Sequence, residues 1–465
     1  MKRVGLETSM KYVFAIGLAV MLVLSIVAWR LKPDSDVRGR TVLVWATDDN
    51  PARRRQVTLF EELNPDIKLI TDPGNFLMEK MIVQTIAGLG PDLFDASGVY
   101  VLERLVQSGV AMDLMQTART NGFDETRTWP GAIGNITLFG RQYAFPGNVY
   151  SNIIFYNKDI FDKYGEPYPP REMSWEQFVE IGQRLTRLEP GSKHVQCFGA
   201  MNLYWYELVL QAGGRIYSPE GVRCVLDSPK AIEAIEFYRD LMFKYHIMPT
   251  PQEQSSISGQ GDLGLDVIQW FARGKVAMIR MSKRGLITLE QYPHLKGRIG
   301  FCHQPHHRKK ISLISSRLVG VNRKSEKMSA AIRFMKFLTS PEYNRQISDS
   351  NDGLAPVPQF ARDAAGTLKD SPDDIFIESL ERSIAPEVSP MISPMAALDL
   401  IIEQLDLVTN NLKSPADACR DMARAVNQAI YRNLSQYEQY RRRYEQIVGK
   451  PFDKNDPFWR EFSGR

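Results

Sequence analysis

From residue 41 onward, short apolar runs that read as buried strands alternate with helices carrying one apolar face. This alternation restricts the fold more than any other feature of the chain. Residues 41–45 (TVLVW) form an unbroken apolar run and read as a strand. Asp48, Asp49 and Asn50 follow, and then Pro51. An Asn cap before Pro starts a helix: the cap side chain accepts an orphan N–H, and Pro has none to lose. That helix carries Val57, Phe60 and Leu63 on one face and stops near Asn64 and Pro65. Residues 67–70 read as the next strand, and 76–89 as a helix closed by Gly90. Leu93 and Phe94 give a third strand, followed by a helix over 100–107 that ends before Gly109. The order strand, helix, strand, helix, strand predicts a doubly wound α/β lobe.

The same pattern returns further on. Ser174 followed by Gln177 fits a capping box, and Ser228, Ser340 and Ser414 each place a hydroxyl before Pro. Residues 266–273 read as a helix ended by Gly274, and 275–281 as a strand. A chain of 465 residues holds two or three domain-sized cores, or one two-lobed body. Its 58 basic residues against 54 acidic ones leave a net charge of +4, without the clustered excess of a nucleic-acid binder. Cys197, Cys224, Cys302 and Cys419 lie far apart with no CxxC spacing, so they make no metal site by pattern. Cys197 and Cys224 can pair outside the cytoplasm, but buried free thiols are the favoured reading.

Lys2, Arg3 and Lys11 precede an apolar run over 12–29, which Arg30 and Lys32 close. The run is about the minimum that spans a bilayer as a helix, and longer than an ordinary signal-peptide core. It is expected to be an uncleaved anchor with the body outside the cytoplasm; cleavage near Ala28 is the alternative. Residues 1–40 are thus read as anchor and linker, and 433–465 as a polar and aromatic extension. Arg441, Arg442 and Arg443 in that extension read as a solvated helix face.

Several landmarks follow one another in a set order. They are VLVWATDDN (42–50), FEELNPDIKL (60–69), IAGLGPDLFDAS (86–97), VQSGVAMDL (106–114) and RQYAFPGNVYSNIIFYNKDIFDKYG (141–165). PPREMSWEQF (169–178), FARGKVAMIRM (271–281), AAIRFMKFLTSPE (330–342) and NDGLAP (351–356) complete the set. In this order they resemble the extracellular solute-binding proteins of the maltose and glycerol-phosphate binding type, over residues 41–432. The resemblance implies an α/β, two-lobed periplasmic-binding-protein type II fold with ligand between the lobes. Lobe one would be 41–148 plus 311–345, and lobe two 150–305 plus 346–432. It further implies the extracytoplasmic substrate-binding subunit of an ABC importer, a monomeric body that closes on a carbohydrate and docks on a membrane permease. No cofactor and no catalytic residue are expected.

Ligands of open α/β sheets sit beyond the carboxyl ends of strands. Asp48, Asp49 and Asn50 follow the first strand, and Asp95 and Ser97 the third, so all five are candidate hydroxyl partners. Helix capping explains at least one of them. Tyr150 and Asn152 sit at the first crossover, where the resemblance implies a ligand contact. Tyr204, Trp205 and Tyr206 offer faces for sugar rings, although core packing claims part of any such run. After AMIRM, where maltose-type members carry an aromatic, this chain has Ser282, Lys283 and Arg284. Arg284 can hold a carboxylate or phosphate in its planar fork, which leaves an acidic sugar or sugar phosphate open beside a neutral one. Gly353 in NDGLAP is expected to bring backbone to the cleft.

His303, His306 and His307 lie near Cys302, but Pro305 breaks a helical spacing and no second cluster completes four zinc ligands. A polar crossover loop is the favoured reading, and no metal is expected. Two other function classes remain beside transport. One is a membrane-anchored carbohydrate-active enzyme, for which no G-x-S-x-G, HExxH, P-loop or G-x-G-x-x-G pattern is found. The other is a ligand sensor built on the same fold.

Overall fold

Leu43, Trp45 and Ala46 of the first apolar run are fully buried, and the run forms a central strand. The structure is a computed structural model that describes Met21 and residues 39–462 other than 76, 190, 192–194, 258–262 and 366–371. The expected anchor over 12–29 lies outside the described residues. Among the described residues no helix is long and apolar enough to cross a membrane.

Ten strands build two five-stranded sheets. They are β1 (Thr41–Ala46), β2 (Ile67–Thr71), β3 (Leu93–Ala96), β4 (Phe145–Tyr150), β5 (Asn152–Asn157), β6 (Arg187–Leu188), β7 (Val195–Met201), β8 (Val276–Ser282), β9 (Ile299–Cys302) and β10 (Ser315–Val321). The first sheet has the order β2-β1-β3-β10-β4, and the second β9-β5-β8-β7-β6. β1 runs parallel to β2 and β3, while β10 is antiparallel to β3 and β4. In the second sheet β8 is parallel to β7 and antiparallel to β5. The chain passes from the first sheet to the second at Ser151, between β4 and β5, and returns over 303–314. It crosses again before the helix Asp373–Glu381, which packs on β5.

Local chemistry sets most helix ends. The Asn50 side chain accepts the Arg53 N–H at 2.9 Å and starts the helix Pro51–Leu63. Ser174 and Gln177 complete both bonds of a capping box. Ser340 and Ser414 cap their helices, whereas the Ser228 side chain makes no cap bond. The helix expected over 76–89 spans Met78–Ile86, and Gly88 at φ +74° follows it.

Two expectations on organisation need correction. Of residues 346–357, expected above in the second lobe, Ile347 and Val357 pack with the first, whereas Leu354 and Ala355 lie in a core cluster with Ile153 and Phe155. The helix Pro341–Asp349 turns Tyr343 and Ile347 inward, and Ile347 and Val357 share a core with Leu43, Trp45 and Phe60. The arginine run in 433–465 is not a solvated face. Arg443 lies with Cζ 3.8 Å from the Phe139 ring centroid and donates to the Pro390 carbonyl at 2.9 Å. Arg441 donates to the Leu434 and Ser435 carbonyls, and only Arg442 pairs outward, with Glu438. Tyr440, Tyr444, Trp459 and Phe462 are buried in the second lobe's core, so this extension is part of the body. All four cysteines are buried free thiols. Burial pushes Cys197, Cys224 and Cys419 up to about 12.

Tyr440 of the helix Glu438–Val448 lies beside Gln107 and Glu103 of the helix Val99–Gln107 in the first lobe, where Glu103 is buried. Burial pushes the Glu103 carboxyl up to about 7, against the pull of Arg443 and Arg104. A carboxyl raised in this way favours the protonated folded state. Its penalty is absent below the ordinary value of 4.5 and grows as pH rises toward about 7. Glu103→Gln is therefore expected to melt a few degrees above wild type at pH 8 and level with it at pH 4.5. Parallel melting curves at the two pH values check this.

Candidate functional site

The carboxyl ends of β1 and β3 face the end of β8 across a hollow of about 430 Å³. On the first wall stand Asp48, which follows β1, Ser97, which follows β3, and Arg53 from the first turn of the helix Pro51–Leu63. Asn148 and Arg317, from the neighbouring strands β4 and β10, complete that wall. Ser282 and Arg284 form the opposite wall. Tyr150, Asp352 and Gly353 lie where the lobes join. Gly353 has φ +119°, and a Cβ there would stand 3.0 Å from the Val149 carbonyl oxygen. Only glycine suits that place, because Leu354 and Val149 exchange two backbone hydrogen bonds beside it, at 2.8 and 3.1 Å.

Two arginines organise the first wall. Arg53 Nε donates to Asp48 Oδ1 at 2.8 Å, and Nη1 donates to Asp352 Oδ2 at 2.8 Å. Arg317 Nη1 donates to Asp95 Oδ2 at 3.1 Å, and Nη2 donates to the Tyr343 hydroxyl at 2.8 Å. Burial opposes the charge on Asp48. The Arg53 and Arg317 guanidiniums, with hydrogen bonds from Asn50 and Arg53, nevertheless hold its carboxyl below the ordinary value. Burial raises the Tyr150 phenol; Asp352 adds to this, and Arg284 and Arg317 oppose it. Asn148 ties the wall together: its amide donates to the Asp352 carbonyl, and its oxygen accepts the Arg317 N–H at 3.1 Å.

Of the residues singled out in the sequence, Asp48, Ser97, Tyr150, Arg284 and Gly353 line this hollow together. The others stand elsewhere. Asp49 is exposed and pairs with Arg54 at 2.9 Å. Asn50 is occupied as the helix cap and as a donor to Asp48. Asp95 is buried behind the wall, where Trp45 Nε1, the Thr47 hydroxyl and Arg317 use both its oxygens. Asn152 opens β5 opposite Ser282 and is not in the lining. Trp205 and Tyr206 are core residues that stack on each other at 5.4 Å. With Tyr100 and Glu387 they border a gap of about 10 Å³, room for one water at most. Tyr204 is half-buried, with Arg280 Cζ 5.4 Å from its ring centroid.

Sequence reasoning missed Arg53, Asn148, Arg317 and Asp352. A signal for Arg53 existed: positions 53, 56 and 60 recur at helical spacing and are the buried residues of their helix. Arg317 and Asp352 come from distant parts of the chain and carry no local signal. The two basic residues after β8 have different surroundings. Lys283 is buried and pairs with Asp373 at 2.8 Å, and only Arg284 is exposed. The histidines are paired rather than gathered: His303 bonds Glu378 at 2.8 Å and His307 bonds Glu233 at 3.1 Å. Among the described residues no group of three or more His, Cys, Asp or Glu is placed to hold a metal ion. A larger cavity of about 570 Å³ lies against Leu286, Leu289, Leu295 and Phe301 of the second lobe. Its lining is mainly apolar, with Glu290, Lys296 and Asn351 beside these residues.

Strand ends from two α/β bodies, facing each other over a polar hollow, define a two-lobed solute-binding protein. The chain belongs to the bacterial extracellular solute-binding protein family, whose profile matches residues 45–345. The diacetylchitobiose binding protein DasA of Streptomyces coelicolor is 24% identical to it over 451 residues, covering 90% of this chain and 98% of that protein. Among solved structures, an ABC substrate-binding protein from Listeria monocytogenes in complex with cycloalternan matches with a TM-score of 0.71 at 21% identity. That match covers 84% of this chain and 99% of the other. The sugar-binding protein MalE from Xanthomonas citri matches with a TM-score of 0.72 at 17% identity, over 86% of this chain and 100% of its own. At these identities the structural likeness carries the fold, and the two-lobed α/β fold expected from the resemblance is the one observed.

Proposed function

We propose that this chain is the substrate-binding subunit of an ABC importer and that it captures a carbohydrate in the hollow between its lobes. One observation carries the reading: side chains from both lobes, Asp48 on one wall and Arg284 on the other, line a single polar hollow. A ligand that touches both walls binds the closed arrangement better than the open one and shifts the population toward it. The DasA relative is named for a disaccharide ligand, in keeping with this reading. The site favours binding over turnover. Arg53 bridges Asp48 and Asp352, and Asp48 is held ionised, so it is not set up as a general acid.

We place the first lobe at 41–148 plus 311 to about 357, with the rest of the described body in the second. A monomeric body outside the cytoplasm, tethered by the apolar run over 12–29 and docking on a permease, completes the proposal. Isothermal titration of the purified protein with a panel of mono- and oligosaccharides tests the core of it. Saturable binding that is lost in Asp48→Ala is the expected result. Absence of binding by every sugar and sugar derivative overturns the reading.

A further inference from the structure

We infer that the ligand carries an anionic group, a carboxylate or phosphate on a sugar, and that Arg284 determines this preference. The inference rests on the hollow being the ligand site. The first wall is internally matched: Arg53 is taken up by Asp48 and Asp352, and Arg317 by Asp95 and the Tyr343 hydroxyl. With three carboxylates against two guanidiniums, that wall repels an anion. Arg284 differs from both arginines opposite. It is exposed and lines the hollow, and its guanidinium has no ion-pair or hydrogen-bond partner among the described residues.

Its backbone is held in place by its neighbours. Lys283 is buried against Asp373, and Ser282 pairs in register with Asn152 at the end of β8. The guanidinium is thus presented from a fixed turn while its own donors stay unused. Ser282 and Arg284, the second wall's contributions, are rich in donors, and Arg284 has no acceptor at all. The two walls therefore sort a ligand by polarity. Hydroxyls donate to Asp48, and an acceptor-rich end faces Arg284, where a bidentate carboxylate or phosphate makes the strongest use of the fork. Tyr150 lines the same hollow as Arg284 and Arg317.

The test compares matched ligands. Glucose, galactose and mannose are each titrated beside their uronate and their 6-phosphate, against wild type, Arg284→Gln and Arg284→Lys. A preference of roughly 10–100-fold for one anionic form over its neutral parent is expected in wild type. It should disappear in Arg284→Gln and be partly kept in Arg284→Lys, which retains the charge without the fork. Rising salt should narrow the preference, since the site is open to solvent. The uronate and phosphate arms tell the two anions apart. Unaltered melting temperatures establish that the variants fold. Neutral sugars binding as well as their anions, or a preference that survives in Arg284→Gln, overturns this inference and leaves the sugar-binding reading standing. No binding by any member of this panel overturns the inference, and the sugar-binding reading falls with it only when the wider panel of mono- and oligosaccharides also fails to bind.

Discussion

Glu207→Ala is expected to cost about 3–5 kcal/mol of unfolding free energy, the usual result of breaking a buried ion pair from one side. Glu207 sits on the helix Trp205–Gln211 with no exposed surface. Its Oε2 accepts from Arg280 Nε at 2.5 Å. Its Oε1 accepts from the Leu313 N–H at 2.9 Å, and from Gln304 Nε2 and the Ser312 hydroxyl at 3.1 Å each. One carboxylate therefore fastens a helix and a strand of the second lobe to the segment that returns to the first. Alanine leaves the Arg280 guanidinium buried without its partner and orphans the Leu313 N–H. Urea denaturation should show the loss as a lower midpoint. The double variant Glu207→Ala, Arg280→Met should lose less than the sum of the single changes, because no stranded charge remains. A single-variant cost under about 1 kcal/mol would refute the fastening role.

What was legible in the sequence divides along physical lines. Elements fixed by local chemistry were readable, because the deciding partners lie within a few residues. The Asn50 cap and the Ser174 capping box are such cases. The five lining residues identified early share a different property: each follows a strand or sits at a crossover, so topology alone aims it at the hollow. The aromatic run at 204–206 misled because burial and ring stacking on a ligand demand the same residue types. The structure commits Trp205 and Tyr206 to the core. Arg53 was hidden for the opposite reason. It heads a run of three arginines, and an arginine reads as solvent-facing unless its distant acid partners are known. Asp352, 299 residues away, supplies the missing reason for its burial.

That pairing makes Arg53→Met the second large effect. Methionine restores most of the stem's volume, so the charge is what the substitution removes. Arg53 is 2% exposed and Asp352 is 5% exposed, and without the guanidinium both carboxylates lose the cation bonded to them, with only Arg317 left on that wall. The expected cost is again about 3–5 kcal/mol at neutral pH. Ligand binding should weaken as well, because Asp48 loses the group that orients it. The pH dependence separates charge from packing. In wild type the Asp48 carboxyl lies below its ordinary value of 3.8, despite burial, because Arg53 and Arg317 favour its ionised form. A depressed carboxyl stabilises the fold above its unfolded value and loses that contribution as pH falls through the folded one. Arg53→Met forfeits Arg53's share of this, so its deficit should be full at pH 7 and shrink as pH falls below about 4, where protonation relieves the repulsion. Denaturation midpoints for both proteins at pH 7 and pH 3.5 measure the difference. Equal deficits at the two pH values would assign the loss to packing and remove Arg53 as the electrostatic centre of the wall.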